Sequence, residues 1–348
     1  MKLIPKEITE KGKETWSNFL KKTESGHFFQ AFDWGVFKET QGWKVHRIML
    51  QGENGEPKAA LSILEKRIPL FGFKIWYLPR GSVCDFKDRG LAAQVFDFLI
   101  DYGRKNKVMA IKVSPDVVLS EETKWLVELL KEKRFKETDD YQLHKCTIRI
   151  DLKDKSAEEI FADFKKNTRW EIGKAEKDGV FVKKGENEND LKVVYQLYTE
   201  AMGKNRLPYD YFKNFWEIFK KDILILIASY QGQPISAVLV PFSNKKYWYL
   251  FGGSAKKYPT HNSSQLLQWE IIKRAKEHGA EIYDLQGIPC GEPKTPHDKG
   301  VLQFKEGFGG ERIELIGEFD YAFFPILYQI FCKLNQARII TKGIMGRV

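Results

Sequence analysis

The pair Phe304-Lys305, set in Gln303-Phe304-Lys305-Glu306-Gly307-Phe308-Gly309-Gly310, joins a flat aromatic face to a compact point cation. An aromatic beside a cation suits the end of a nucleotide chain. Three glycines in the four residues after Glu306 free the backbone for positive φ. The same residues would also fit a Gly-rich turn with a buried Phe and a solvated Lys. A β-like run, Glu281–Leu285, precedes this stretch and is broken by Gln286-Gly287-Ile288-Pro289-Cys290-Gly291, which reads as a loop. A second group of cations, Lys165, Lys166, Arg169, Lys174 and Lys177, lies on a predicted helix over 157–178, opened by a Ser156/Glu159 capping box and closed at Gly179. Its apolar side is Ile160, Phe164, Ile172 and Ala175. Such a basic face is either solvated or suited to a phosphate backbone.

The elements that must hold these residues come in two sets. Strands are predicted over 44–51, 58–64, 73–78 and 108–113 with a helix over 90–105, and again over 223–229, 235–241 and 282–285 with a helix over 264–277. Lys246-Tyr247-Trp248-Tyr249-Leu250-Phe251-Gly252-Gly253-Ser254 matches Lys74-Ile75-Trp76-Tyr77-Leu78-Pro79-Arg80-Gly81-Ser82 without a gap at Lys, Trp, Tyr, Leu, Gly and Ser. An internal duplication of one mixed α/β unit is the most economical account. Strand, turn, strand, strand, helix, strand is the order of an acetyltransferase-like (GNAT) fold. Where that fold seats an acyl-CoA pyrophosphate, residues 255–264 contain no glycine, which disfavours a CoA donor.

At 348 residues the chain has room for two cores, and Lys+Arg exceed Asp+Glu by 57 to 47. That balance favours an anionic partner such as RNA, a phosphorylated substrate or an anionic membrane face. Walker A, GxGxxG after a strand, GxSxG and HExxH are all missing, so the usual NTPase, dinucleotide and hydrolase signals have no support. Cys84, Cys146, Cys290 and Cys332 are widely spaced with no CxxC; they read as reduced thiols of a cytoplasmic protein, without zinc or disulfide framework. The N-terminus lacks a secretory pattern, and no run of about 18 apolar residues spans a bilayer. The end of the chain, Tyr321–Leu334, is aromatic and apolar, followed by cations and no acid; it would pack on a lobe or lie at a membrane surface.

Six segments in order resemble the FemABX family: Phe28-Phe29-Gln30 with Trp34 and Lys38; Leu78-Pro79-Arg80-Gly81 with Asp85; Lys166-Asn167-Thr168-Arg169; Phe251-Gly252-Gly253-Ser254; Tyr283-Asp284-Leu285; and Phe304-Lys305 with its glycines. The resemblance is to the compact members that lack a coiled-coil arm. It implies two tandem GNAT-like domains, 1–147 with 318–348 and 148–317, the second interrupting the first. It further implies a non-ribosomal peptidyltransferase that moves an amino acid from aminoacyl-tRNA to the stem peptide of a peptidoglycan precursor, lipid II or its UDP-linked form. The enzyme would be a monomer in the cytoplasm, peripheral to the membrane at most, needing neither cofactor nor metal. By the same resemblance Lys38, Arg206 and Tyr211 would hold the precursor, Phe304 and Lys305 the tRNA acceptor end, and Lys305, Asp85 and Tyr249 would serve the chemistry. The alternatives are an acyl-CoA N-acyltransferase and a non-catalytic tRNA-binding or other RNA-binding protein.

Overall fold

The computed structural model describes residues 2–68, 72–138, 141–203, 207–256 and 261–342, of 335–342 the backbone alone. The chain divides into two compact units, 1–145 with 314–348, and 146–313. The first begins with β1 (Ile4–Glu7), α1 (Lys13–Lys22), α2 (Phe32–Thr40), β2 (Lys44–Gln51), β3 (Pro57–Arg67), β4 (Lys74–Arg80), β5 (Val83–Cys84), α3 (Arg89–Lys105), β6 (Val108–Pro115), α4 (Lys124–Glu132) and β7 (Lys136–Glu137). The second holds β8 (Cys146–Asp151), α5 (Ala157–Ala162), α6 (Lys166–Lys177), β9 (Phe181–Gly185), α7 (Glu188–Met202), α8 (Tyr209–Phe219), β10 (Ile223–Tyr230), β11 (Gln233–Ser243), β12 (Lys246–Trp248), β13 (Phe251–Ser254), α9 (Ser263–Glu277), β14 (Ile282–Ile288), α10 (Pro296–Glu306) and β15 (Glu311–Glu314). β16 (Phe319–Ala322) and α11 (Pro325–Lys342) return to the first unit.

The two sheets repeat one plan. The first runs β1-β2-β3-β4-β6-β16-β7 with β5 on β3; the second runs β9-β10-β11-β12-β14-β8-β15 with β13 on β11. β4 and β12 hold the same place, antiparallel to the preceding strand and parallel to the strand that follows a helix. The duplication read from the sequence is thus present strand by strand. One difference matters: the strand beside β6 is β16, from the end of the chain, whereas the strand beside β14 is β8, which opens its unit.

Apolar residues on both faces of the central strands build each core. Leu61, Ile63, Trp76, Leu78 and Ile111 meet the stripe Leu91, Val95, Phe96 and Leu99 of α3, whose start is fixed by Asp88 accepting from the Leu91 N–H. In the second unit Leu226, Val238, Val240 and Leu285 meet Leu267, Ile271 and Ile272 of α9. Burying such side chains contributes about 1.5–3 kcal/mol each.

Two sequence expectations are corrected here. The predicted single helix over 157–178 is two helices, because Phe164 leaves the helical path to pack edge-on against Trp269 and Phe308, and the Lys165 N–H donates to Gly307 O at 2.9 Å. Arg169 then caps the carbonyls of Ala162 and Phe164, Lys165 pairs with Glu306, and Lys174 pairs with Asp178. Three of the five cations are therefore occupied within the fold. The four cysteines are not all free: Cys146 and Cys290 form a disulfide, with Cα atoms 5.2 Å apart. Their separation of 144 residues hides the reason, which is that β14 pairs with β8 in a register that sets Ile288 opposite Cys146. Cys84 and Cys332 remain thiols.

Candidate active site

In the second unit the parallel pair β12–β14 lasts three residues. Its last rung is the Tyr249 N–H on Asp284 O at 2.9 Å, after which the chain moves to β11 as β13. β14 is itself irregular between Asp284 and Gly287, with Gln286 in the left-handed region at φ 59°. The bulge is fixed by Asp284, whose carboxylate accepts from Thr147 Oγ1 (2.5 Å), Arg149 Nε (2.9 Å) and the Gln286 N–H (2.8 Å). Beside these strands lies a cavity of about 250 Å³ lined by Ser236, Tyr249, Gly252, Gly253, Ser264 and Gln268, among others. The Ser236 hydroxyl is buried there without a hydrogen-bond partner among the described residues.

Lys305 meets this bulge. α10 begins at a Thr295/Asp298 capping box with Pro296 in its first turn, and its last turn carries Phe304 and Lys305. Lys305 Nζ donates to Gln286 O at 2.9 Å and Gly287 O at 2.7 Å. Burial lowers its pKa to about 8, opposed by the Asp284 carboxylate. Of the three N–H bonds of the ammonium, two are spent on carbonyls, and the third has no acceptor among the described residues. Phe304 is half-buried, 5.3 Å edge-on from Phe308.

The glycines after Lys305 do not form the free loop that the sequence implied. Gly307 is right-handed at φ −58°, and among the three only Gly309 has a positive φ, of 70°. They are small because of what they touch: a Cβ would lie 2.4 Å from Thr168 Oγ1 at Gly307, 2.3 Å from Asp163 O at Gly309 and 2.7 Å from Arg149 O at Gly310. The end of α10 is thereby pressed onto α6, the α5–α6 junction and β8, which fixes the Lys305 backbone. Gly309→Ala adds left-handed strain to a clash with backbone, so a loss of about 2–4 kcal/mol is expected in chemical denaturation. A variant as stable as the parent would show that this junction does not set the position of α10.

Tyr249 is half-buried, and burial pushes its phenol up to about 12, so it is a neutral hydrogen-bond donor at neutral pH. Gly252 makes room for it, since a Cβ there would lie 2.4 Å from Tyr249 Oη. Tyr211 is buried on α8, its ring 6.2 Å from that of Phe251, and burial raises its phenol as well. Arg206 lies outside the described residues.

In the first unit the motif Phe28-Phe29-Gln30 and the motif Leu78-Pro79-Arg80-Gly81 are one construction. The buried Gln30 amide donates to Pro79 O (2.8 Å) and accepts from the Ser62 N–H (2.9 Å), and Gly81 leaves the space it needs. The aromatics Phe28, Phe29 and Phe37 close around Trp34 at centroid distances of 4.5–5.6 Å. Lys38 follows on the same helix, 5 % exposed, its Nζ 5.4 Å from the Trp34 ring and 5.7 Å from the Trp43 ring. Burial and the neighbouring Lys66 lower its pKa to about 8, and among the described residues no carboxylate pairs with it. Lys66 Nζ lies 5.3 Å from the same Trp43 ring and donates to Gly42 O. Two cations thus lie beside one indole, one of them buried and, among the described residues, without a carboxylate partner. Asp85 is exposed in the turn before α3, accepting from the Lys87 N–H at 2.9 Å.

Asp284, Lys66 and Trp43 join the candidate sites in the structure, and sequence reasoning gave them no role. Asp284 had a visible signal, a carboxylate inside an otherwise apolar strand; Lys66 had none, because only the fold of β3 against α2 brings it to Lys38.

Two units of one plan, each with a parallel strand pair beside a helix, define a tandem acetyltransferase-like protein. A solved tandem GNAT protein from the clavulanic acid biosynthesis pathway shares this architecture at TM-score 0.56 and 10% identity, over 92% of this chain and 98% of that one. The chain belongs to the FemAB family, whose model matches residues 12–233 and 227–336, and it is an aminoacyltransferase. The crystal structure of FemX superposes at TM-score 0.84 with 21% identity, over 94% of this chain and 99% of that one. The lipid II:glycine glycyltransferase of Staphylococcus haemolyticus is 26% identical over 408 aligned residues, 94% of this chain and 97% of the relative. That of Staphylococcus aureus strain MRSA252 is 25% identical over 402, covering 92% and 95%. Both alignments are longer than the 348 residues of this chain, so the relatives carry segments with no counterpart here.

Proposed function

We propose that this enzyme transfers an amino acid from the terminal ester of an aminoacyl-tRNA to the stem-peptide amine of a peptidoglycan precursor. The observation that carries the reading is the Lys305 ammonium, buried, clasped by two carbonyls at the β14 bulge and left with one N–H to give. The staphylococcal relatives, named for lipid II and glycine, support the acceptor class. In the reaction the acceptor nitrogen attacks the ester carbonyl, the tetrahedral intermediate bears an oxyanion, and the carbon–oxygen bond to the ribose breaks. The nitrogen loses one proton and the ribose oxygen gains one. Lys305 stabilises the oxyanion, and Tyr249 offers a neutral phenol beside the same strand. Because the ester is already activated, positioning supplies much of the remaining acceleration.

Lys38, with Lys66 across Trp43, takes the precursor's phosphates; Arg206 and Tyr211 are further candidates for the precursor. Asp85, exposed in the turn before α3, is a further candidate to act on the acceptor amine. A CoA donor has little to bind at the start of α3, where Asp88 already fills the helix N-terminus and Asp85 adds a second carboxylate.

The test is incubation with a mixed aminoacyl-tRNA pool and with acetyl-CoA in separate arms, each with lipid-linked and UDP-linked precursor, followed by mass analysis of the precursor. One amino-acid residue added only in the tRNA arm is the expected result. Acetylation in the CoA arm, or tRNA binding without transfer, would overturn the reading. Phe304→Ala is expected to raise the Michaelis constant for aminoacyl-tRNA by about 5–150-fold, the worth of one stacked base, with turnover at saturation little changed. An unchanged constant would remove Phe304 from the acceptor-end contact.

A further inference from the structure

The final helix presents an apolar face that the described residues leave exposed. α11 is held to the first unit through Tyr328, whose phenol is raised by burial and by its hydrogen-bonded neighbours Asp320 and Cys332, and through Phe324, 5.4 Å from Phe73. On the other side Ile326 is 76 % exposed, Leu334 56 %, Ile330 47 % and Leu327 37 %. At 3.6 residues per turn these four side chains fall within an arc of about 100°. Scattered exposed aliphatics are ordinary on a protein surface; a continuous stripe on one helix marks a contact. Gln329 and Lys333, both exposed, border it.

Charge selects the partner. From Tyr321 to Val348 the sequence has no Asp or Glu and carries Lys333, Arg338, Lys342 and Arg347. An apolar stripe in an all-cationic segment is attracted to an anionic lipid surface and repelled by a second copy of itself. Among the described residues no helix is long and apolar enough to cross a membrane, so α11 would lie along the surface rather than span it.

We propose that the Ile326, Leu327, Ile330 and Leu334 face of α11 docks on an anionic bilayer, its side chains at the acyl boundary and Lys333 at the headgroups. This rests on α11 alone and holds whichever precursor the enzyme uses. The full chain is sedimented with vesicles of phosphatidylcholine and with vesicles in which one lipid in four is phosphatidylglycerol, across a salt series. The parent protein is expected to bind the anionic vesicles about tenfold or more better than the neutral ones, with a loss of binding as salt rises. Ile330→Glu with Leu334→Glu is expected to lower that binding about tenfold or more. The melting temperature and the activity on a water-soluble stem peptide stay unchanged, because both side chains are exposed. Equal binding by parent and variant, or no binding by the parent, would overturn the proposal. So would a concentration-dependent dimer in ultracentrifugation that the variant abolishes, which would assign the face to a second copy. Failure of transfer to the soluble peptide in both proteins would count against the proposed reaction and leave vesicle binding as an independent result.

Discussion

Lys305→Met is expected to lower turnover by about 10²–10³ in single-turnover measurements at saturating aminoacyl-tRNA, the usual cost of removing one oxyanion donor. Affinity for the precursor should be unchanged, since the proposed phosphate site uses Lys38 and Lys66. The pH profile gives a second readout with a definite sign. Burial lowers Lys305 to about 8, so the ammonium predominates below that pH and is lost above it. An oxyanion stabiliser therefore predicts a rate that falls as pH rises through about 8, and Lys305→Arg, which stays charged, should lack that limb. A rate that rises through the same window would make Lys305 a base. Wild-type single-turnover rates in Lys305→Met would remove it from the chemistry while leaving its contact with tRNA to be measured.

Lys38→Met is expected to weaken precursor binding by about 1.5–3 kcal/mol, roughly 10- to 150-fold, the worth of a charge-assisted hydrogen bond to phosphate. Binding of tRNA should be unaffected. Lys38 is lowered in the folded protein to about 8 from an ordinary value of 10.5, first by desolvation and then by Lys66. Its neutral form is thus favoured by folding. Between about pH 8 and 10.5 the unfolded chain binds more protons than the folded one at this position, so the stability it withholds at neutral pH is recovered as pH rises. Removing the charge should accordingly raise the melting temperature at pH 7, which separates a lost ligand contact from misfolding. Calorimetric titration with the UDP-linked precursor checks the affinity; equal affinities in parent and variant would dispose of the phosphate site.

Both predictions concern lysines that were visible in the sequence as residue types but whose properties were not. The duplication, the strand order and most strand limits were legible because they rest on local periodicity and on an ungapped internal match, Lys74–Ser82 against Lys246–Ser254. Phe164 shows where such reasoning stops: the apolar spacing over 157–178 fits one helix, yet packing against Trp269 and Phe308 and a hydrogen bond from Lys165 to Gly307 break it in two. The glycines after Lys305 carried the right emphasis for the wrong reason, being close-contact residues rather than a flexible loop.

The sequence by itself determined that this chain is a duplicated acetyltransferase-like protein with family motifs in order, because repeat matches and 2.0- and 3.6-residue periods are properties of neighbouring residues. Tertiary structure alone decided which of its cations are available and how strongly they are perturbed. Arg169, Lys165 and Lys174 are spent on partners far apart or near in the chain, while burial lowers Lys305 against the β14 bulge and Lys38 between two nearby indoles with Lys66 of β3 brought up beside it. The Cys146–Cys290 disulfide was likewise set by the pairing of β8 with β14 across 144 residues. Burial, pairing and pKa depend on distances between remote segments, and those distances exist only once the two sheets have formed.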